Sequence, residues 1–157
     1  MFRGIFKKEK ALCTERNLEI LKSAKRGILS VMADHGYPYG VPMNHYFDEY
    51  ECKLYFHCGR GGHREESIKK CSKVSFTTYI EEKAPDSWAY DVESVIVFGE
   101  AEIIDDPVAA EKITRKLSAK FTDDKDFVEG EIEKYLSKTV IICVTPLHIS
   151  GKKIREA

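Results

Sequence analysis

Two stretches of this chain hold residues whose types and spacing can do chemistry, and a third adds an aromatic side chain. The first is His57-Cys58-Gly59-Arg60-Gly61-Gly62-His63-Arg64. Its glycines let backbone N–H groups approach a ligand closely, and a helix starting at its end turns further amides the same way. His63 and Arg64 at that start would add charge-assisted hydrogen bonds to a phosphate. The glycine and Lys-Ser/Thr pattern of a P-loop is absent. Two readings therefore stand, an anion site and a flexible loop with a solvated basic face. The second stretch is Tyr37-Pro38-Tyr39-Gly40-Val41-Pro42-Met43-Asn44. Proline removes a ladder donor, so a strand here lies at an edge, is bulged, or turns its free edge toward a ligand. The third is Asp86-Ser87-Trp88-Ala89-Tyr90, where Trp88 either packs or stacks on a ligand.

Among the histidines, His57 stands out as a candidate functional residue, with a hydrogen-bonded strand histidine that takes no catalytic part as its alternative. His45 lies beside the second stretch and reads as facing out from the strand. His35, in a turn, and His148, near a strand end, read as solvent-facing.

The elements that must position these groups follow from apolar periodicity. Thr14 as N-cap and Glu15 behind it open a helix carrying Leu18, Ile20, Leu21 and Ala24, which Gly27 stops. Residues 28–33 form a short apolar strand. Asp34-His35-Gly36 turns it, with Gly36 free to take a positive φ, into a return strand over 37–47. A third strand covers 53–57 and delivers the glycine-rich loop. A helix follows over 64–71, its Glu65 and Glu66 first and Lys69 and Lys70 last, matching the macrodipole. Strands are predicted over 73–79 and 92–104. Asp106-Pro107 starts a helix with Ala110, Ile113, Leu117 and Phe121 on one stripe. A further helix around 131–136 precedes the last strand, 139–149. Hairpin-linked strands with segregated helices predict an α+β, mainly β fold on an antiparallel sheet or barrel.

Composition bounds the partners. The 157 residues, 43% of them hydrophobic, suffice for a single domain over 1–157 with one core. Lys and Arg number 25 against 26 Asp and Glu, which argues against binding nucleic-acid phosphates. The longest aliphatic run, Val140 to Val144, falls far below the roughly 20 residues of a membrane span. The first residues lack the apolar stretch of a signal peptide, so a cytoplasmic protein is expected. The five cysteines are odd in number and form no C-x-x-C pair, so they read as buried or half-buried free thiols.

The same stretches carry a resemblance. Gly36-Tyr37-Pro38-Tyr39, Val41-Pro42-Met43-Asn44, Lys53-Leu54-Tyr55-Phe56-His57 and the glycine-rich loop resemble the FMN-binding split-barrel superfamily. More narrowly, they resemble its pyridoxamine-phosphate-oxidase-related, nitroimidazole-resistance-like branch. Trp88, Ser94 through Ala101 and Ile149-Ser150-Gly151-Lys152 fit that branch too, so the likeness runs from about Thr14 to Lys152. The resemblance implies an FMN-binding split β-barrel with peripheral helices, a homodimer with flavin at its interface. Val41, Pro42, Met43 and Asn44 would lie along the isoalloxazine edge, mainly through backbone groups. His57, Cys58 and Gly59 would follow beside the ribityl chain and phosphate. Gly62, His63 and Arg64 would close on the phosphate, with His63 where relatives commonly offer Lys. Ser94 would touch the flavin, and Trp88 would come from the partner subunit. The extended basic C-terminal segment of pyridoxamine-phosphate oxidases is missing after Lys152, which favours another flavin reduction over the vitamin B6 reaction. The implied activity is hydride transfer from NAD(P)H through FMN to a small-molecule electron acceptor, nitroaromatic compounds included, with His57 as the proton donor. Non-catalytic binding of FMN or heme is the alternative, and a barrel that has lost its cofactor is a third. No glycine fingerprint of a dinucleotide fold is present, so NAD(P)H would bind transiently.

Overall fold

A computed structural model describes residues 1–85 and 88–156, without the side chain of Glu156, so Asp86, Ser87 and Ala157 lie outside the described residues. The chain runs α1 (Thr14–Ser23), β1 (Arg26–Met32), β2 (Pro38–Asn44), β3 (Tyr46–Asp48), β4 (Lys53–Gly59), α2 (His63–Lys70), β5 (Lys73–Lys83), β6 (Tyr90–Ile104), α3 (Pro107–Ser118), α4 (Lys125–Tyr135) and β7 (Thr139–Glu156). All seven strands join one antiparallel sheet in the order β2-β1-β5-β6-β7-β4-β3.

That order forces the sheet to curl. β2 and β3 lie at opposite edges, yet only His45 separates them in sequence. Consecutive Cα atoms sit about 3.8 Å apart, so the two edges must meet at His45. A flat seven-stranded sheet would instead hold its outer strands about 29 Å apart, at roughly 4.8 Å per spacing. The result is the expected antiparallel split barrel. Where the periodicity predicts one return strand over 37–47, the structure breaks it at His45 and sends the second part to the far edge.

Inside the curl lie Leu29, Val31, Met43, Leu54, Phe56, Phe76, Val95, Val97, Ile142 and Val144. Ile20 and Leu21 of α1 and Ile68 of α2 pack onto this core. A second cluster sits outside β4 and β7, where Ala110 and Ile113 of α3 cover Tyr55, Ile141 and Cys143. α3 presents these residues because its stripe keeps a helical period behind a satisfied N-cap. Asp106 accepts from the Ala109 N–H at 2.9 Å, with Pro107 at the first position.

Several local expectations are corrected. α1 begins at Thr14 itself; Cys13 takes the cap position, and no side chain caps the helix. Gly27 does not end α1, which stops at Ser23, but lies within β1. A Cβ there would stand 2.3 Å from Phe76 Cζ and 2.5 Å from the Thr77 carbonyl, so close approach demands the glycine. α4 starts six residues early because Asp124 caps it, accepting from the Phe127 N–H at 3.0 Å. β7 continues past Ile149, because its second half pairs with the first half of β6. His148 is not solvent-facing: it sits half-buried inside β7, its ring stacked under Phe2 at 5.1 Å. All five cysteines are free, but Cys13 and Cys52 are exposed rather than tucked into the fold.

His45 is the largest correction. It is fully buried, not outward, and its ring packs on Phe56 and Phe76. Its Nε2–H donates to the Leu21 carbonyl at 2.7 Å, and its own carbonyl accepts from Lys120 Nζ at 2.9 Å. Lys120 also donates to the Ala24 carbonyl at 2.8 Å. One lysine thus clasps α1 to the seam. Burial lowers the His45 pKa to about 4 and that of Lys120 to about 8, with the Lys120 charge adding to the His45 shift.

Candidate functional site

The edge position of β2 resolves the proline question: Pro38 and Pro42 sit on a strand paired only with β1. Strand alternation then divides the stretch Val41–Asn44. Met43 is buried in the core and Val41 packs against it, so these two can meet a ligand only through backbone on the free edge. Pro42 and Asn44 point to the outer face, beside Ile28 and Arg26 of β1.

The glycine-rich loop joins β4 to α2. Gly61 turns the chain with φ of +71°, where a side chain would be strained. Gly62 holds the cap position of α2 without a side-chain cap, and His63 and Arg64 open the helix. Glu65, read from the sequence only as a first-turn acid, is buried and reaches back to accept from the Gly61 N–H at 2.7 Å. A glutamate three places after a cap position is a readable signal for such a contact. Lys69 neutralises it and, with the Gly61 amide, holds its carboxyl below the usual range. One loop amide is therefore already taken. Arg60, read only as part of the loop, forms a bidentate pair with Asp105 that ties the loop to the α3 approach.

Arg64 is different. Arg16, Arg60, Arg115 and Arg155 pair with carboxylates, and of the three arginines without an ion-pair partner among the described residues, Arg3 and Arg26 are exposed and only Arg64 is half-buried. Its charge reaches Cys58 and His57 and favours the deprotonated form of each. Burial opposes it at Cys58, raising that thiol overall. At His57 crowding by the surrounding chain acts first and Arg64 adds to it, so the imidazole lies below its ordinary 6.5 even though solvent reaches the ring. His57 is therefore neutral at pH 7. His63 stacks on Tyr39 at 4.9 Å, with Asp34 3.6 Å from its Nε2, so the loop meets the β2 edge through a ring that sequence reasoning did not single out.

The chain thus brings His57, Cys58, Gly59, Gly62, His63 and Arg64 to one corner. It does not bring Trp88 or Ser94 there. Trp88 is 74% exposed beside the tip of the β5–β6 hairpin, about nine residues along β5 from the Val74 level that faces Tyr39 through β1. At about 3.3 Å per residue that is about 30 Å. Ser94 shares the outer face with Asn44 but lies three strands away across β1 and β5, about 14 Å.

Next to that corner, His57, Cys58 and Gly59 at the end of β4 floor a cleft of about 390 Å³ whose far wall is α4. Among the described residues no group of three or more His, Cys, Asp or Glu is arranged to hold a metal, and no helix is long and apolar enough to cross a membrane.

A seven-stranded antiparallel sheet curled until its two edges meet at His45 defines the class as a split barrel. A family model described as pyridoxamine 5'-phosphate oxidase matches residues 14–153, and the chain belongs to that family. Comparison with curated proteins gives no match. Among solved structures, a candidate 5-nitroimidazole antibiotic resistance protein from Bacteroides thetaiotaomicron is 21% identical with a TM-score of 0.73, covering 92% of this chain and 88% of its own. The conserved hypothetical protein Rv2991 from Mycobacterium tuberculosis is 15% identical with a TM-score of 0.78, over 96% and 90% of the two chains. An FAD-binding protein from Mesorhizobium loti is 17% identical with a TM-score of 0.70, over 92% and 97%. At these identities the likeness establishes the fold.

Proposed function

We propose that the protein is a cytoplasmic, homodimeric, FMN-dependent oxidoreductase that takes hydride from NAD(P)H and reduces a small electrophile, nitroaromatic compounds among them. The observation that carries the reading is Arg64: a half-buried cation without a carboxylate, at a glycine-rich helix start, fits a phosphate monoester. Family membership and the similarity to proteins described as FAD-binding and as an F420 reductase support a flavin as the group bearing that phosphate. The cytoplasmic assignment rests on free, unpaired thiols.

The residues present fit the group. Arg64, His63 and the amides around Gly62 would hold the phosphate, and the free edge of β2 would present backbone groups to the ring. Pro42 and Asn44 would flank it, and Ser94 and Trp88 would reach it from the partner subunit. Bound there, the flavin would supply hydride acceptance and donation. Neutral His57 would give its N–H to the acceptor and supply the proton as pH falls toward its lowered pKa.

The test is a visible spectrum of the purified protein, mass identification of the released cofactor, and stopped-flow reduction and reoxidation. Bound FMN, reduced by NADH or NADPH and reoxidised by a nitroaromatic acceptor, is expected. His57→Gln should slow reoxidation by about 10²–10⁴ while sparing reduction. FMN that neither nucleotide reduces would leave a binding module, and equal slowing of both half-reactions would mean a disturbed flavin geometry.

A further inference from the structure

α4 is an amphipathic helix that packs poorly. Phe127, Val128, Ile132 and Tyr135 share one side at helical spacing, yet among the helix's described residues only Ile132 is buried. Phe127 is 59% and Tyr135 43% exposed. The space that would bury them is the cleft of about 390 Å³ between α4, α3 and the end of β4, inside the size range of small-molecule sites. Its walls are mainly apolar, with Thr114 and Ser118 of α3 as small polar breaks and His57 on the floor. The ring nitrogens of His57 have no hydrogen-bond partner among the described residues.

We propose that this cleft is a binding site for a small aromatic molecule of one or two rings that donates one hydrogen bond to His57. The rings would cover the open side of α4, which is where the apolar area is left without a partner. The imidazole, neutral at pH 7, keeps an acceptor nitrogen that a ligand N–H or O–H can meet. A bulky charged ligand is a poor match, because the one carboxylate lining the cleft, Glu131, and the one ammonium, Lys138, both stand exposed. The site stands on the outer side of β4, away from the core, and shares His57, Cys58 and Gly59 with the flavin reading, while its walls from α3 and α4 belong to the cleft alone.

Saturation-transfer NMR on the full chain as purified, titrated with indole and with benzothiophene, tests this. The two probes share a shape, and only indole has an N–H. Both should bind in the wild type, and Val128→Trp, which fills the cleft from a helix wall, should abolish both while circular dichroism stays unchanged. In His57→Leu the ratio of indole to benzothiophene affinity should fall about fivefold, the size of one ordinary hydrogen bond. A second arm repeats the titration with FMN in excess. Binding that survives FMN supports a separate site, whereas competitive displacement overturns it and assigns the cleft to the flavin site. Absence of saturation transfer at millimolar probe, binding retained in Val128→Trp, or an unchanged ratio in His57→Leu would each overturn the proposal as well. Should Val128→Trp unfold, Val128→Phe takes its place with the same expectation.

Discussion

Asn44 and Tyr46 stand on opposite edges of a seven-stranded sheet with one residue between them. Everything that His45 touches follows from that placement. A polar ring is buried at the seam because the seam needs a donor for the Leu21 carbonyl, which a leucine or phenylalanine would leave unpaired.

His45 should set the acid limit of stability. Its folded pKa of about 4 lies below the ordinary 6.5, so between those values the unfolded chain takes up a proton that the folded chain refuses. Stability therefore falls as pH drops from 6.5 to 4, by about 3 kcal/mol at 1.36 kcal/mol per unit. Urea melts at pH 7 and pH 4.5 should show this loss, and in His45→Gln the loss should shrink to the part owed to carboxylates. An unchanged slope in the variant would remove His45 from that role.

Lys120 works in the same direction, in a window at higher pH. Its folded pKa of about 8 lies below 10.5, so the unfolded state binds more protons between those values and stability from this group rises with pH there. Lys120→Met removes both carbonyl contacts and should cost about 1–3 kcal/mol at pH 7. Denaturant midpoints across pH 7–10 check both the loss and the direction.

Gly27→Ala should destabilise by about 1–3 kcal/mol or more, since the added carbon meets both the Phe76 ring and a backbone carbonyl that cannot swing away. Thermal melts read this directly; a melting point equal to that of the wild type would mean that β1 and β5 can separate at no cost.

Arg64→Ala should weaken FMN binding about 10- to 100-fold, and His63→Lys should hold or improve it. Fluorescence titration of FMN into stripped protein measures both. Wild-type affinity in Arg64→Ala would place the phosphate elsewhere.

Ile28, Met32 and Phe98 are each between 40% and 47% exposed on the outer face, with Gly40, Ser30 and Ser75 between them. Such an exposed apolar surface suits a second copy. Sedimentation should give a dimer at micromolar concentration, and Ile28→Lys should give monomer. A stable wild-type monomer would remove the partner from which the proposed flavin site would draw Trp88 and Ser94.

The fold was largely readable because its strands alternate and its helices carry periodic stripes: Ala110, Ile113 and Leu117 predict α3, and all three are buried. The failures share a cause. Gly27 looks like a helix stop, and only the tertiary neighbour Phe76 shows it to be a packing glycine. His45 sits inside a stretch that reads as one return strand, and neither it nor its neighbours Asn44 and Tyr46 mark the jump between sheet edges. At the site, residue types pointed to the loop and the β2 edge, but which side each side chain faces depends on register. That register put Met43 inside and Pro42 outside, while the local turn at the start of α2 gave Gly61 a partner in Glu65.

The place of β7 carries one more consequence. It is the strand between β6 and β4, so the half-barrel that starts at β3 and the one that ends at β6 have no ladder between them until residues 139–156 arrive. Pairing Leu54 with Val144 spans ninety positions of chain, a long loop to close before any contact rewards it. During synthesis the first six strands must wait at the ribosome with Leu54, Phe56, Val95 and Val97 uncovered. Non-local pairing of this kind slows folding, and the arrival of β7 is the step that commits the barrel.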